Sequence, residues 1–443
     1  MSEPKQIYTC QKCGAQFSKW FGQCPECGAW GTIIKQTYTP LESVSPKTEK
    51  NAKNLSQIKK ENFPRLSTGI PSFDQVLGGG IVPGSLILLA GQPGIGKSTL
   101  ILQLAGNLKR PVLYVSGEES AGQVKMRADR LKIDQNYIRF LASQDISEII
   151  HLTQKIKPSL LIVDSIQAVS SGDGFSSAGS VNQVRLSTAQ LLQLAKSTNI
   201  PIFIIGHITK EGLVAGPKTL EHLVDAVLYL EGDPYHYFRL LRVSKNRFGP
   251  TQEIGVFVME SNGLKEVKNP SGAFLNENRE NSAGSIVGAV LEGTKVFLAE
   301  IQALINPSPY PYPQRKVKGL DLNRAELLIA VLSRRAGIRL SHKDIYLNVV
   351  GGLKINESGV DLPVCLAITG ASKNKKSPSD LVAFGEVGLD GQVRPCSFAK
   401  ERIKTAAKLG FKKIILPQSK EKLCFGNLEI IEVKNLSEAI DKI

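Results

Sequence analysis

The stretch SLILLAGQPGIGKSTLILQLAG, residues 85–106, decides the fold of the central part of the chain. Residues 91–98 match the pattern GxxxxGK[ST], after an apolar run and before a helical pattern that begins near Lys97. Glycines let such a loop wrap a phosphate with backbone amides, and the helix N-terminus adds a positive dipole. The pattern predicts a P-loop with nucleotide contacts from Gly91, Gln92, Pro93, Gly94, Ile95, Gly96, Lys97, Ser98 and Thr99.

A P-loop needs a divalent cation and a carboxylate on a neighbouring strand. Lys97 is expected to reach the β- and γ-phosphates of ATP, and the Ser98 hydroxyl to ligate Mg²⁺. The apolar run SLLIVDS ends in Asp164, which is expected to hold the water shell of Mg²⁺. An aspartate at a strand end can also be a simple cap. The prediction that Asp164 has a role at Mg²⁺ therefore depends on the presence of the P-loop.

Two other apolar runs end in groups that can take part in hydrolysis. The run YVSGEES offers Glu118 and Glu119, and a hydrolase needs a base within hydrogen-bond reach of the attacking water. Glu118 is the first choice, since one of the pair can instead be an acidic residue stabilised at a helix start. The run IPIFIIGH ends in His207, which either senses the γ-phosphate or is structural.

Short apolar runs alternate with helical patterns between residues 64 and 265. The runs SLILLAG, PVLYVSG, SLLIVDS and IPIFIIGH are typical of strands buried on both faces of a parallel sheet, and 97–108 and 181–197 are typical of helices. This alternation predicts an α/β fold with crossover helices. The glycine-rich segments 170–184 and 208–222 follow strand ends and are either a track for a polymer or mobile loops.

Four of the seven cysteines form two CxxC pairs separated by ten residues. The pairs are Cys10 with Cys13 and Cys24 with Cys27, and a glycine follows each pair. Two such turns supply the tetrahedron that structural Zn²⁺ requires, whereas disulfides are rare in the cytoplasm. The spacing predicts a closed zinc site in a ribbon too small for its own core. At least two of the rings of Trp20, Phe21 and Trp30 are expected to pack against it.

The composition predicts several domains in one globular chain. The 443 residues are 42% hydrophobic and 21% charged, which argues against disorder, a fibrous repeat or a membrane protein. The predicted fold class is multidomain α/β. Its domains are a C4 zinc ribbon at 1–36, a flexible linker at 37–62, an α/β P-loop ATPase at 63–265, a connector at 266–282 and a mixed α+β domain at 283–443.

The charge and the N-terminal residues bear on partners and location. The formal charge is +15, with nearly half of the surplus after residue 265. This surplus favours an anionic partner, although a solvated basic surface is an equally ordinary explanation. The start MSEPKQIYTCQKCG has no basic stretch before an apolar core, and no apolar run approaches the ~18 residues of a spanning helix. The cytoplasm is therefore expected, with no membrane partner.

A basic pentapeptide, KNRFG at residues 245–249, follows the strand-like run RLLRVS. Lys245 and Arg247 are two residues apart and would project to the same side of an extended chain. They could enter the nucleotide site of a neighbouring subunit as trans-acting cations. By itself the pentapeptide is only a basic turn.

These motifs in this order resemble the RadA (Sms) family of bacterial DNA repair proteins. The resemblance rests on KWFGQCPECGAW, GQPGIGKST, KNRFG, GLDLNRAELLIAVL and FGEVGLDGQVRP, and covers essentially the whole chain. It implies a RecA-like, DNA-dependent ATPase that forms hexameric rings, binds single-stranded and branched DNA, and promotes branch migration alongside the RecA recombinase. It also implies catalytic roles for Lys97, Glu118, Lys245 and Arg247.

The last domain resembles the Lon protease domain, whose catalysis uses a serine nucleophile and an activating lysine. Matching the Lon-type pattern places Lys400 at the lysine position and Asp361 at the nucleophile position. Because peptide hydrolysis by this route needs an activated hydroxyl or thiol, a non-proteolytic scaffold that contacts DNA is expected. The alternatives are an ATP-dependent protease, or a regulatory P-loop switch whose zinc ribbon binds a protein.

Overall fold

A computed structural model describes residues 5–10, 16–26, 28–38, 64–170, 180–207, 220–232, 238–267, 275, 282–352, 354–419 and 425–443. By internal contacts, one compact unit comprises Met1–Gly69, Gly79–Pro93 and Ile101–Leu228, and the other comprises Ile70–Gly78, Gly94–Leu100 and Tyr229–Ile443. Most of the predicted linker 37–62 and connector 266–282 lies outside the described residues. The predicted domain boundaries stay predictions.

The N-terminal part of the first unit is a small antiparallel sheet. Its strands, in the order β2-β1-β3, are β1 (Lys5–Cys10), β2 (Gln16–Phe17) and β3 (Ile33–Tyr38). Ile33 is buried together with Cys10 and Cys24, and Phe17 and Phe21 meet edge to face beside them. This core is minimal, as expected for a ribbon that a metal holds together.

The centre of the first unit is a run of five parallel strands in the order β4-β8-β7-β5-β6. They are β4 (Leu86–Gly91), β5 (Val112–Ser116), β6 (Ile138–Ala142), β7 (Leu160–Asp164) and β8 (Ile202–His207). Every residue of β4, β5 and β7 is buried, because helices cover both faces of such a sheet. The four strands predicted from the apolar runs are confirmed.

Three of the helices in this part of the chain begin at capping side chains. The helices are α2 (Lys97–Asn107), α3 (Ala121–Leu131), α4 (Ile146–Ile156) and α5 (Val181–Thr198), after the short α1 (Pro71–Val76) in the second unit. Ser120, Asp145 and Ser180 accept hydrogen bonds from the first-turn amides of α3, α4 and α5, respectively. The predicted helices 97–108 and 181–197 are confirmed as α2 and α5.

The strand β9 (Ala226–Glu231) ends the first unit and begins the second. An antiparallel meander follows, with β10 (Phe238–Asn246), β11 (Ile254–Glu260) and β12 (Gly263–Glu266). Glu266 accepts hydrogen bonds from the amide and hydroxyl of Ser72 in α1. These bonds fasten α1 to the meander within the second unit.

The rest of the second unit is a mixed α+β domain around one seven-stranded sheet, in the order β15-β16-β14-β13-β17-β20-β21. The strands are β13 (Ser285–Glu292), β14 (Lys295–Pro307), β15 (Arg315–Lys318), β16 (Lys343–Val349), β17 (Leu381–Ala383), β20 (Lys413–Pro417) and β21 (Glu429–Val433), with a separate hairpin of β18 (Glu386–Val387) and β19 (Val393–Arg394). The helices are α6 (Leu322–Arg335), α7 (Asp361–Lys373), α8 (Ala399–Lys408) and α9 (Leu436–Ile440).

The core of this domain forms around α7, whose first ten residues are all buried. Side chains of α6, α7, α9 and the sheet make one continuous apolar cluster. The predicted fold class is confirmed: a ribbon, a RecA-like P-loop core with a mainly parallel sheet, and a mixed α+β domain. Among the described residues, no helix is long and apolar enough to cross a membrane.

Candidate nucleotide site and zinc ribbon

The carboxyl ends of four parallel strands meet at one edge of the central sheet. Gly91, the last residue of β4, pairs in register with His207 at the end of β8. Ser116, the last residue of β5, pairs with Asp164 at the end of β7. Open α/β sheets bind ligands at this edge, and the P-loop starts from it at Gly91. The fold thus gathers the strand-end residues that the sequence singled out.

Glu118 has a hydroxyl partner from the neighbouring strand end. The Oγ of Ser165 donates a short hydrogen bond to Oε1 of Glu118, and Nε2 of His207 lies 4.0 Å from the same oxygen. The Glu118 side chain is 52% exposed, so solvent can reach it. A carboxylate that is oriented on one side and open on the other can accept a proton from water.

Glu119, the next residue, is held in a different way. Both of its carboxylate oxygens accept from the guanidinium of Arg127 in α3, at 2.6 and 2.5 Å. Its amide also donates to Oγ of Ser116. The hydrogen bond to Glu119 raises the pKa of Arg127 above its ordinary value, so the guanidinium stays charged. The geometry therefore separates the two glutamates, with Glu118 facing the strand edge and Glu119 tied to a helix.

Asp164 has a buried phenol as a hydrogen-bond partner. The hydroxyl of Tyr114 donates to Oδ2 of Asp164 at 2.6 Å. Burial, and then the negative Asp164, raise the pKa of Tyr114 well above its ordinary value. The phenol therefore stays protonated and remains a donor. Sequence patterns did not predict Tyr114, because it lies inside an apolar run and shows no spacing signal.

The P-loop backbone has two glycines at positive φ, Gly94 and Gly96. Gly94 has φ +75° and nothing lies within 4 Å of the position its Cβ would take, whereas a Cβ on Gly96 would lie 2.8 Å from Cε of Met259. The carbonyl of Ile95 accepts from Nε of the buried Arg239, a contact that no motif predicted. Lys97 is buried at the start of α2. These residues fit a nucleotide phosphate.

The basic pentapeptide follows the end of β10. The strand ends at Asn246, whose side chain accepts from the amide of Phe248 and donates to the carbonyl of Leu77. Lys245 therefore lies on the strand, and the exposed Arg247 lies in the turn after it. The spacing argument for an extended chain applies only up to Asn246, and the trans-acting role of the two cations stays a prediction.

The ribbon carries two of the four predicted zinc ligands within the described residues. Cys10 and Cys24 are buried in one cluster, and the Sγ of Cys10 lies 3.2 Å from the hydroxyl of Thr32. Gly28 has φ +68° and its amide donates to the carbonyl of Cys24, which closes the tight turn after the second pair. Cys10 and Cys24 lie in one cluster, as two ligands of a single Zn²⁺ site would. Cys13 and Cys27 lie outside the described residues.

The aromatic side chains of the ribbon are more exposed than the sequence predicted. Trp20 and Trp30 are 60% and 75% exposed, and only Phe21 is half-buried, so the expectation that at least two rings pack was wrong. The three-stranded ribbon has too little interior to enclose indoles. The Nε1 of Trp20 nevertheless donates to the carbonyl of Ile33, which fixes this ring at the surface.

Asp361, which stands where the Lon-type pattern has its serine nucleophile, forms a buried ion pair. Asp361 is the first residue of α7 and is completely buried. It accepts hydrogen bonds from the guanidinium of Arg324 and from the amide of Val387. Burial raises the pKa of Asp361, and its hydrogen bonds with Arg324 and Val387 oppose that shift. Lys400 is exposed near the start of α8.

Two predicted loops lie mostly beyond the described part of the chain. Residues 171–179 of the segment 170–184 and residues 208–219 of the segment 208–222 are outside it. Their interpretation as either a track for a polymer or mobile loops therefore stays a prediction. The side-chain oxygen of Gln167, just before the first of these loops, is buried and has no hydrogen-bond partner among the described residues.

Three family models match this chain. The AAA domain matches residues 52–212, the rubredoxin metal binding domain matches 8–35, and the model for subunit ChlI of Mg-chelatase matches 322–420. With the geometry above, they define the class: a P-loop ATPase with an N-terminal zinc ribbon and a C-terminal α+β domain.

Curated relatives narrow this class to one family. The DNA repair protein RadA of Bacillus subtilis (strain 168) is 45% identical over 457 residues, covering 99% of each chain. The RadA proteins of Pseudomonas aeruginosa and Aquifex aeolicus are both 44% identical, covering 100% of this chain and 100% and 99% of theirs. The chain belongs to the RadA family.

Solved structures show more distant likeness. The RadB recombinase is 26% identical with a TM-score of 0.38, covering 46% of this chain and 100% of that chain. The ATPase domain of G40P is 16% identical with a TM-score of 0.41, covering 47% of this chain and 94% of that chain. The family assignment depends on the full-length relatives and not on these structures.

Proposed function

We propose that the chain is a DNA-dependent ATPase motor of recombinational repair. It hydrolyses ATP to drive branch migration or translocation on single-stranded and branched DNA, together with the RecA recombinase. The observation that supports ATPase activity is a pair of hydrogen bonds at the carboxyl ends of the parallel strands. Ser165 donates one to Glu118, and Tyr114 donates the other to Asp164. The role in DNA repair is supported by full-length relatives that are named DNA repair protein RadA.

The proposed nucleotide site combines the P-loop with this strand edge. Backbone amides of residues 91–99 bind the phosphates, Lys97 contacts the β- and γ-phosphates, and Glu118 orients the attacking water and accepts its proton. Ser98 and Asp164 would hold Mg²⁺, which when bound neutralises charge on the phosphates. Glu119 has a structural role, because Arg127 engages both of its carboxylate oxygens.

The proposed assembly is a hexameric ring with nucleotide sites shared between subunits. Lys245 and Arg247 would reach the phosphates of a neighbouring subunit and stabilise the charge that develops during hydrolysis. The zinc ribbon holds Zn²⁺ through Cys10, Cys13, Cys24 and Cys27 as a structural element. The proposed setting is the cytoplasm, where thiols stay reduced.

Peptide hydrolysis is not part of this proposal. Asp361 stands where the Lon-like pattern requires a nucleophile, and its carboxylate is engaged by Arg324 and Val387. A buried carboxylate in an ion pair offers no hydroxyl or thiol for acylation. Incubation of the purified protein with casein is expected to give no cleavage products.

The proposed function is tested by Lys97→Ala with Lys155→Ala as the matched control. Lys155 is exposed on α4, away from the strand edge. Lys97→Ala is expected to lower ATP turnover by roughly 10²–10³-fold, because the variant loses a preorganised cation that contacts the phosphates. DNA binding is expected to persist in part. Turnover is measured by phosphate release with and without single-stranded DNA, and branch migration is followed on synthetic junctions.

Two results would contradict the proposal. Unchanged ATP turnover in Lys97→Ala would contradict the assignment of residues 91–99 to the nucleotide site. Wild-type turnover that does not respond to single-stranded DNA at low salt would favour the regulatory P-loop switch over a DNA motor.

A further inference from the structure

Tyr114 is a buried residue of the central sheet, and its hydroxyl contacts Asp164, the carboxylate assigned to magnesium. It is fully buried in the middle of β5, and its ring stacks on Phe140 of β6 with centroids 6.4 Å apart and an interplanar angle of 19°. In register it lies opposite Ile162, so Asp164 is two residues further along the neighbouring parallel strand on the same face. The phenol reaches diagonally across the pair to Oδ2 of Asp164 at 2.6 Å.

The group that holds Oδ2 of Asp164 is the hydroxyl of an uncharged side chain. A phenol is neutral, and it therefore orients a carboxylate without neutralising it. A metal-binding carboxylate needs a fixed direction, because hydrogen-bonded outer partners set the geometry of the ligand group.

We propose that Tyr114 is a positioning residue for ATP hydrolysis: its hydroxyl holds one oxygen of Asp164 and so directs the carboxylate toward the magnesium shell. The inference depends on the proposed assignment of Asp164 to magnesium. Burial and stacking immobilise the ring, so the hydroxyl has one position. The backbone supports the same alignment, because the amide of Gly117 donates to the carbonyl of Asp164 at 3.1 Å.

The test compares Tyr114→Phe with Tyr137→Phe in the full-length chain. Phenylalanine keeps the ring and removes only the hydroxyl, while Tyr137 is 42% exposed and serves as the matched control. ATP turnover is titrated with Mg²⁺ at fixed ATP, and binding of a fluorescent ATP analogue is measured with and without Mg²⁺. In Tyr114→Phe the Mg²⁺ concentration for half-maximal turnover is expected to rise by roughly 10- to 100-fold.

Magnesium-free nucleotide binding and the melting temperature are expected to change little in Tyr114→Phe, with kcat recovering at high Mg²⁺. An unchanged Mg²⁺ titration would overturn the inference. So would a loss of kcat that no Mg²⁺ concentration restores, since that outcome indicates a role in the fold alone.

Asp164→Asn distinguishes this inference from the proposed function. Asp164→Asn could abolish Mg²⁺-dependent turnover while the turnover of Tyr114→Phe depends on Mg²⁺ as in the wild type. In that case only the inference about Tyr114 fails, and the assignment of Asp164 stands. If Asp164→Asn itself titrates normally with Mg²⁺, the assignment of Asp164 in the proposed function fails, and the role of Tyr114 fails with it.

Discussion

At the scale of single residues, two adjacent glutamates have different environments. Glu118 accepts from Ser165, which lies 47 residues away in the chain, and about half of its side chain is exposed. Glu119 is bound by Arg127, two turns along the following helix. A bidentate arginine pair fixes the carboxylate of Glu119 in one orientation and occupies both of its oxygens. Of the two, Glu118 has the exposed carboxylate, which agrees with its proposed role as the general base.

This difference predicts opposite results for two conservative substitutions. Glu118→Gln is expected to lower ATP turnover by about 10²–10⁴-fold, since the base is lost while the shape is kept. Nucleotide binding should persist, as measured with a fluorescent ATP analogue. Glu119→Gln, the control, should retain most turnover and lose only its ion pair with Arg127. Loss of turnover in Glu119→Gln alone would reverse the assignment.

At the scale of elements, helix α8 is anchored through a buried arginine. The guanidinium of Arg402 is completely buried and donates to both carboxylate oxygens of Glu357, at 2.8 and 2.7 Å. It also donates to the carbonyls of Ala289 in β13 and Ser397. One side chain thereby joins a helix, a strand and the loop before α7. A buried cation is tolerated only where its donors are satisfied in this way.

Removing this anchor should destabilise the Lon-like domain. Arg402→Met keeps the length of the side chain but leaves Glu357 and two carbonyls without their donor, which is expected to cost about 3–5 kcal/mol in the free energy of unfolding. The control is Arg334→Met on the exposed side of α6. Urea unfolding followed by circular dichroism measures both variants. An equal, small shift in both would show that the buried pair contributes little.

At the scale of the whole molecule, charge is the property that bears on the partner. The formal charge of +15 is spread over the chain, with nearly half of the surplus after residue 265. Surplus positive charge raises the local concentration of polyanions and speeds association. This basic charge fits the proposed DNA partner, because DNA phosphates release counterions when cations bind them.

DNA binding should therefore depend steeply on salt. The logarithm of the affinity for single-stranded DNA is expected to fall linearly with the logarithm of salt concentration, with a slope of about −0.7 for each phosphate contacted. Fluorescence anisotropy between low and physiological salt measures this slope, in the absence and presence of ATP. A flat response for both single-stranded and branched DNA would argue that the surplus is only a solvated surface.

Local patterns were sufficient for much of the fold and part of the site. Buried parallel strands show as continuous apolar runs, and the P-loop and the CxxC pairs are short motifs whose geometry depends on adjacent residues. The roles assigned to the site residues stay predictions, but the structure places Gly91, Asp164 and His207 at the ends of strands, as the sequence indicated. The exposure of Trp20 and Trp30 was not foreseen, because ring burial depends on how much interior a ribbon has.

By itself, the sequence determined the order of domains, the class of fold, the P-loop and the zinc-binding pattern, because each is encoded by neighbouring residues. Only the tertiary structure decided which glutamate is open to solvent, which hydroxyl donates to Asp164, and which cation pairs with Asp361. Ser165 with Glu118, Tyr114 with Asp164, and Arg324 with Asp361 are separated by 47, 50 and 37 residues. Packing alone brings such pairs into contact, and no local pattern encodes them.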